Sequence, residues 1–454
     1  MSIFKDCDVR GIYPAEIDET AAYRIGRALA TLYPEARLLV GGDVRVSTPT
    51  LKTALITGLT DGGVHVEDLG TIPTPALYFA LAKGDCDGGA TVTASHNPPK
   101  YNGVKYMMGE NPVTRRDIDA LKAVYETGGF ADRKGSLSRL DILPDYLAAL
   151  KRRFRAQRPL KVVVDAGNGA MSRVAPEAFR QSGYQVVELF CEPDGTFPSR
   201  DPNPAQYEHL GAVCAKVAEM GADFGVAFDG DGDRAVFIDE TGVAVQNERS
   251  LALFIRHLLK DRPTPVVYDQ KSSSAVKRAT LEMGGTPVPE RSGHAFIKRR
   301  FLELGAAVAG EVSGHFFFGE LGYDDGLFAA LMMADILAAS DRPLSRLAGD
   351  IVIPPITPDL RVHCPYSQQD AWLERIEALA GTQPCAVSHM DGVRMEFDHG
   401  WLLVRKSVTA EQITLRAEAD TEARLREILK MAADALPEEA REELGFSLGK
   451  GIRD

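Results

Sequence analysis

A hydroxyl, an imidazole and an amide stand side by side in the stretch 91–105, TVTASHNPPKYNGVK. The small and β-branched residues 89–93 read as a strand. Pro98 and Pro99, with φ fixed and no N–H to donate, prevent the chain from continuing it. Ser95 is thereby presented on a stiff turn, where its hydroxyl could act as a nucleophile; a plain Ser/Asn/Pro turn is the competing reading. Ser95 and His96 are neighbours, and in an extended turn their side chains diverge, so His96 is not expected to be the direct base for Ser95.

The densest charge lies in DGDGDR, residues 229–234. Asp229, Asp231 and Asp233 alternate with glycines that let the backbone fold tightly, an arrangement suited to a hard divalent cation with oxygen ligands, magnesium being the expected one. A solvated acidic turn is the alternative. The spacing also approaches a calcium loop, with Glu240 at its twelfth place, but Arg234 stands where that loop needs glycine and the flanks VAF and AVFID read as strands. Residues 162–172, VVVDAGNGAMS, resemble a truncated dinucleotide fingerprint whose third glycine is replaced by Ser172. Neither a Walker A sequence nor a G-x-S-x-G elbow occurs.

Two further stretches carry polar groups in groups. In GEVSGH, residues 310–315, an extended loop would turn Glu311, Ser313 and His315 to one side, a comb matched to sugar hydroxyls, with a polar strand edge as the equal alternative. In RKSVT, residues 405–409, two cations and two hydroxyls could hold a phosphate, or could be an edge strand with surface charge.

The elements around these stretches alternate strand and helix, as a largely parallel sheet demands. Arg10 falls in a short turn before Gly11, and Asp18 or Thr20 caps a helix with Ile25, Ala28, Leu29 and Leu32 on one face. LLVGGDVRV, VVVDAGNGA and PVVYDQKSS each run from an apolar strand through a polar loop into a helix, a weak internal repeat. RKGSLSRLDIL reads as the exit from the first unit and the proline-rich DIVIPPITP as a linker. Beyond it, VRMEFDHGWLLVRKS is a strand pair turned at Asp398-His399-Gly400, and a closing helix carries Leu425, Ile428 and Leu429. The expected architecture is three similar α/β domains with mixed, mostly parallel sheets, at 1–140, 141–245 and 246–353, and a smaller α+β domain at 354–454.

The totals agree with a multidomain globular chain. It has 454 residues, 44% hydrophobic and 26% charged, with a formal charge of -12 that argues against nucleic acid as a partner. Six cysteines lie scattered without a C-x-x-C pair, which points to reduced thiols rather than zinc. Charges in IFKDCDVRGI deny a signal peptide its apolar core, and no run approaches the ~18 apolar residues of a membrane span. A cytoplasmic protein with a small-molecule partner is expected.

Taken together, DVRGI, TASHNPPKYNGVK, DGDGDR, RSGHAFIK, GEVSGH and DGVRMEF-HGW-LVRKS resemble the α-D-phosphohexomutase superfamily, and most closely its bacterial phosphomannomutase/phosphoglucomutase branch. The resemblance spans nearly the whole length. It implies four domains around a cleft and a reversible mutase moving phosphate between O6 and O1 of mannose and/or glucose, through a phosphoserine and a hexose 1,6-bisphosphate. It implies Ser95 as phosphoserine, with Asp229, Asp231, Asp233 and that phosphoryl group binding magnesium. Arg10 and Lys105, supported by His96, take orienting and proton-transfer roles. Glu311, Ser313 and His315 read the sugar; Arg405, Ser407 and Thr409 hold its resident phosphate. Arg234, Lys271, Arg291 and His294 join the cations that draw in an anionic sugar. Val408 and Glu411 depart from the R-x-S-G/N-T-x-P pattern of that last loop, and a β-branched residue resists positive φ. Phosphoglucosamine mutase, a nucleotide-dependent dehydrogenase based on DAGNGAMS and a non-catalytic sugar-phosphate sensor are the alternatives, and monomer and dimer both stay open.

Overall fold

The structure, a computed structural model, describes residues 2–407 and 411–451, with side chains described through 444. The first sheet runs in the order Val9–Ile12, Tyr101–Met108, Gly88–Val92, Arg37–Gly42, His65–Thr71, Ser136–Arg139, with Asn111–Pro112 paired to Tyr101–Met108. Its central strands are parallel and its Val9–Ile12 flank antiparallel. Leu38 and Val40 pack against the helices Glu19–Leu32 and Thr48–Asp61, while Leu39, pointing the other way, packs against Thr74–Ala82. Both faces are covered, which is why LLVGG, after the exposed Arg37, is apolar throughout rather than alternating. Asp18 caps Glu19–Leu32, its carboxylate accepting from the Ala21 N–H at 2.8 Å.

One placement differs from the sequence expectation. Arg10 lies on the strand Val9–Ile12, opposite Gly103, and not in a turn. Within the segment read as the exit, Ser136–Arg139 pairs with His65–Thr71 as the edge strand of the first sheet. Val9–Ile12 is a short segment whose partner strand lies some 90 residues away, so no local pattern marks it.

The second and third units each carry a five-stranded mixed sheet. In the second the order is Ala244–Val245, Ala235–Asp239, Phe224–Phe228, Lys161–Asp165, Gln185–Leu189; in the third it is Thr286–Glu290, Pro265–Asp269, Val308–Gly310, Phe316–Phe318, Tyr323–Asp324. Phe237, Phe254, Phe316, Phe318, Phe328 and Phe154 form a chain of ring contacts from one unit to the next. Each such buried phenylalanine contributes about 1.5–3 kcal/mol, so these two units share one core.

The fourth sheet, Leu360–His363, Gln412–Ala419, Gly400–Lys406, Val393–Phe397, Ala386–Ser388, is wholly antiparallel and has its own core. It meets the third unit through polar contacts: Arg416 with Glu248 at 2.9 Å, and both Glu418 carboxylate oxygens with the N–H of Ser274 at 3.1 Å. Among the described residues no helix is long and apolar enough to cross a membrane.

Candidate active site

Ser95 follows the strand Gly88–Val92 on the turn that Pro98 and Pro99 enforce, and its side chain donates to Asp229 Oδ2 at 2.8 Å. Asp229 opens the loop joining the antiparallel strands Phe224–Phe228 and Ala235–Asp239. The first and second units therefore meet at these two groups. Gly230 is required by that approach, since a Cβ there would lie 2.5 Å from the Ser95 carbonyl oxygen. Ser95 itself adopts φ of 50°, a left-handed conformation uncommon for a residue with a Cβ. This bend brings His96 Nδ1 to 3.3 Å from Ser95 Oγ. The expected divergence of the two side chains is thus incorrect: it assumed an extended backbone.

Asp229, Asp231 and Asp233 are fully buried, and each offers an oxygen within 4.8 Å of the others. Burial, then the charges of Asp233 and Asp231, push the Asp229 carboxyl well above the usual range. Burial raises Asp231 too, but the Lys105 ammonium overrides it and holds that carboxyl low, helped by hydrogen bonds from Lys105 and Thr74. Asp231 Oδ1 and Asp233 Oδ1 are buried without a hydrogen-bond partner among the described residues. Unpartnered oxygens on three crowded carboxylates fit a divalent cation, which would relieve the repulsion and take up those lone pairs.

Lys105 bridges Asp231 and Asp233 at 2.8 Å each. Burial alone would lower its basicity, but the two carboxylates carry it well above the usual lysine range, so it remains an ammonium. That suits orientation of an anion and not removal of a proton. Arg10 spans Asp8 Oδ2 at 2.5 Å and Asn97 Oδ1 at 2.8 Å. Burial, then Arg234, Arg10 and Lys105, hold His96 well below its ordinary value and therefore neutral.

His294 and His315 share one acceptor. Asp324 Oδ1 lies 2.8 Å from His294 Nε2, and Oδ2 lies 2.6 Å from His315 Nδ1. Arg234 Nε, which can only donate, points at His315 Nε2 at 2.9 Å. Nε2 must then carry the lone pair and Nδ1 the proton. That lone pair is engaged by the Arg234 N–H, so Nε2 could take a proton only by exchanging the guanidinium for another donor. GEVSGH is not the expected extended comb: Glu311 N–H donates to the His315 carbonyl at 3.0 Å, closing a tight turn between Val308–Gly310 and Phe316–Phe318. Gly314, with φ of 95°, permits the reversal, and Ser313 Oγ donates back to Glu311 at 2.7 Å.

Ser95 and His96, with Arg10, Lys105, Arg234, His294 and His315, line one cavity of about 840 Å³. The other expected binders stand outside that lining. Lys271 is paired with Asp359 at 3.1 Å and Arg405 with Asp391 at 3.1 Å, so both cations already hold carboxylates. Arg291 stacks over Phe296, its guanidinium carbon 3.9 Å from the ring centre. Glu311 is buried. Ser407 donates its N–H to the Gln412 carbonyl at 2.9 Å. Val408 and Thr409 lie outside the described residues.

Three residues at the site escaped sequence reasoning. Thr74 donates its hydroxyl and its N–H to Asp231, at 2.7 and 2.9 Å. Arg45 contacts the Ser95 carbonyl at 2.7 Å. Asp324 had one local signal, the pair Asp324-Asp325 before a helix that needs a single cap, supplied by Asp325.

Models for phosphoglucomutase/phosphomannomutase alpha/beta/alpha domains I, II and III match residues 1–132, 144–242 and 246–353. The chain belongs to this family. Ser95 lies in the stretch matched by the first of its domains, the aspartate loop in that matched by the second, and His294, His315 and Asp324 in that matched by the third. Among its relatives is a phosphomannomutase/phosphoglucomutase of Pseudomonas syringae, 37% identical over 94% of this chain and 93% of its own length. A phosphoglucomutase of Neisseria gonorrhoeae is 39% identical over 94% and 95%. A crystal structure of a phosphoglucomutase/phosphomannomutase family protein from Burkholderia thailandensis superposes with a TM-score of 0.90 at 35% identity, covering 95% of this chain and 96% of that one.

Proposed function

We propose that the protein is a phosphohexomutase interconverting the 6-phosphate and 1-phosphate of mannose and/or glucose, with Ser95 as the phosphoryl carrier. The observation that carries this reading is the Ser95 hydroxyl, 2.8 Å from Asp229 within a buried triple carboxylate, opening onto a cavity lined by cations. Phosphorylated Ser95 gives its phosphoryl to the free hydroxyl of a bound hexose phosphate: the Oγ–P bond breaks, the sugar O–P bond forms, and the hydroxyl proton passes to His315 Nε2, which exchanges its hydrogen bond from Arg234 for one from that hydroxyl. The resulting 1,6-bisphosphate turns within the cavity and returns its other phosphate to Ser95 Oγ, the proton travelling back to the sugar oxygen.

Magnesium fits the three aspartates and would neutralise charge on the transferring group. Lys105 and Arg10 orient the phosphate, while His96, kept neutral, accompanies the Ser95 oxygen. Arg234 and His294 face the same cavity and would meet the sugar phosphate there. Lys271, Arg291, Glu311, Ser313, Arg405, Ser407 and Thr409 belong to a distal hold. Lys271 and Arg405 reach the far phosphate by exchanging Asp359 and Asp391 for it. On this reading each of the units 1–140, 141–245, 246–353 and 354–454 contributes one element of the site. Six free cysteines accord with the cytoplasm.

Intact mass before and after treatment with glucose 1,6-bisphosphate tests the carrier without assuming the sugar. A gain of one phosphate, absent in Ser95→Ala, is expected; no gain on the wild-type chain overturns the scheme. Turnover on mannose, glucose and glucosamine 1-phosphates then separates the sugar preferences.

A further inference from the structure

The Ser95 turn is built around a guanidinium. Arg45 has no exposed side-chain surface, and all five of its N–H groups are used. Nη2 donates to the carbonyls of Ser95 and Asn97, at 2.7 and 2.6 Å; Nη1 donates to those of Pro98 and Tyr101, at 2.8 and 3.0 Å. Nε donates to Asp43 at 3.0 Å. Asp43 in turn accepts the hydroxyls of Thr48 and Thr93, at 2.7 Å each, and the Thr93 oxygen accepts the Ser95 N–H at 2.8 Å.

Four carbonyl dipoles aimed at one point repel one another, and burying them without a donor is costly. The chain wraps this way only because a planar fork of donors fills the centre. A lysine, with three donors on a point charge, cannot satisfy that geometry. From the second unit, Phe197 covers the outer face of the guanidinium, its ring centre 5.1 Å away. Gly230 rests against the same Ser95 carbonyl that Arg45 holds. The one carbonyl thus registers the serine turn against the aspartate loop.

We propose that Arg45 is the positioning residue of the phosphoryl carrier: by holding the 95–101 turn it sets the left-handed conformation of Ser95 and the distance of Oγ from Asp229. It touches neither the reacting oxygen nor the space open to the sugar. Its loss therefore slows transfer and leaves sugar-phosphate affinity nearly unchanged, because misplacing a reacting atom by about 1 Å costs on the order of a hundredfold.

This inference rests on Ser95 carrying phosphate, and the experiment separates the two. Wild type, Arg45→Lys and Phe197→Leu are charged with glucose 1,6-bisphosphate, their phosphate content is measured by mass, and single-turnover transfer to a hexose phosphate is timed per phosphorylated site. Expected is a loss of at least tenfold in transfer rate for Arg45→Lys and severalfold for Phe197→Leu, with sugar-phosphate Kd within twofold of wild type. A wild-type chain that takes no phosphate refutes the carrier reading itself. A wild type that does, beside an Arg45→Lys variant transferring within twofold of it or losing affinity in proportion to rate, refutes the role of Arg45 alone. Should Arg45→Lys not fold, Phe197→Leu decides, and an unchanged transfer rate there overturns the proposal.

Discussion

Replacing Asp324 by asparagine changes little in volume and much in hydrogen bonding. The carboxylate accepts from His294 Nε2 and from His315 Nδ1, at 2.8 and 2.6 Å. Burial would raise this carboxyl, yet the two histidines hold it well below the usual range, so it is charged across any practical assay pH. An amide has one oxygen and one NH2 group. If the oxygen faces His294, the NH2 faces His315 Nδ1 and requires it to become an acceptor, which moves the ring proton to Nε2, against Arg234 Nε. If the amide turns the other way, His294 is left with the donor. One charged hydrogen bond is lost in either case, about 1.5–3 kcal/mol. At about 1.4 kcal/mol per factor of ten, kcat should fall roughly 10- to 150-fold. Substrate KM should move much less, because Asp324 is fully buried. Steady-state kinetics gives the split, and ring 15N shifts report which nitrogen of His315 is protonated. A kcat within threefold of wild type, with the proton moved to Nε2, would remove His315 as the proton acceptor. An unmoved proton would show that Asp324 does not set the tautomer.

Ser95→Ala should remain folded and lose at least about a hundredfold in mutase rate, the low end of what a covalent carrier supplies; near-wild-type turnover would exclude the phosphoenzyme. Asp231→Asn removes the carboxylate that both Lys105 and Thr74 contact and should raise the magnesium concentration for half-maximal rate about tenfold or more; an activity indifferent to this change and to chelators would rule out a cation at the loop. Lys298 is buried over the Tyr78 ring, and burial pushes its ammonium down from 10.5 to about 8. The unfolded chain therefore binds more protons between those values, so stability rises with pH across that window, while below pH 8 the full cost is present. Lys298→Met should be more stable at pH 7 by up to about 3 kcal/mol, with the advantage shrinking toward pH 10; urea midpoints showing the same difference at both pH values would contradict this.

What the sequence determines by itself is local. Prolines after Ser95, alternating aspartates and glycines at 229–233, apolar strands running into polar loops, and Asp18 before a helix each act within a few residues, through fixed φ, chain flexibility, burial periodicity or capping. These suffice for the fold class and for the two chemical loops. The tertiary structure alone decides the relations between them. Ser95 and Asp229 are 134 positions apart, and Arg45 reaches carbonyls 50 to 56 positions on, contacts that no local spacing encodes. The approach of His96 to Ser95 depends on a positive φ at a residue that does not usually adopt one, and the GEVSGH turn depends on the pairing of the strands beside it. Lys271 and Arg405 have the composition of phosphate ligands, yet each holds an aspartate, because a carboxylate brought near by folding competes for the same cation. Residue type sets which groups can do chemistry, and long-range packing sets which of them meet.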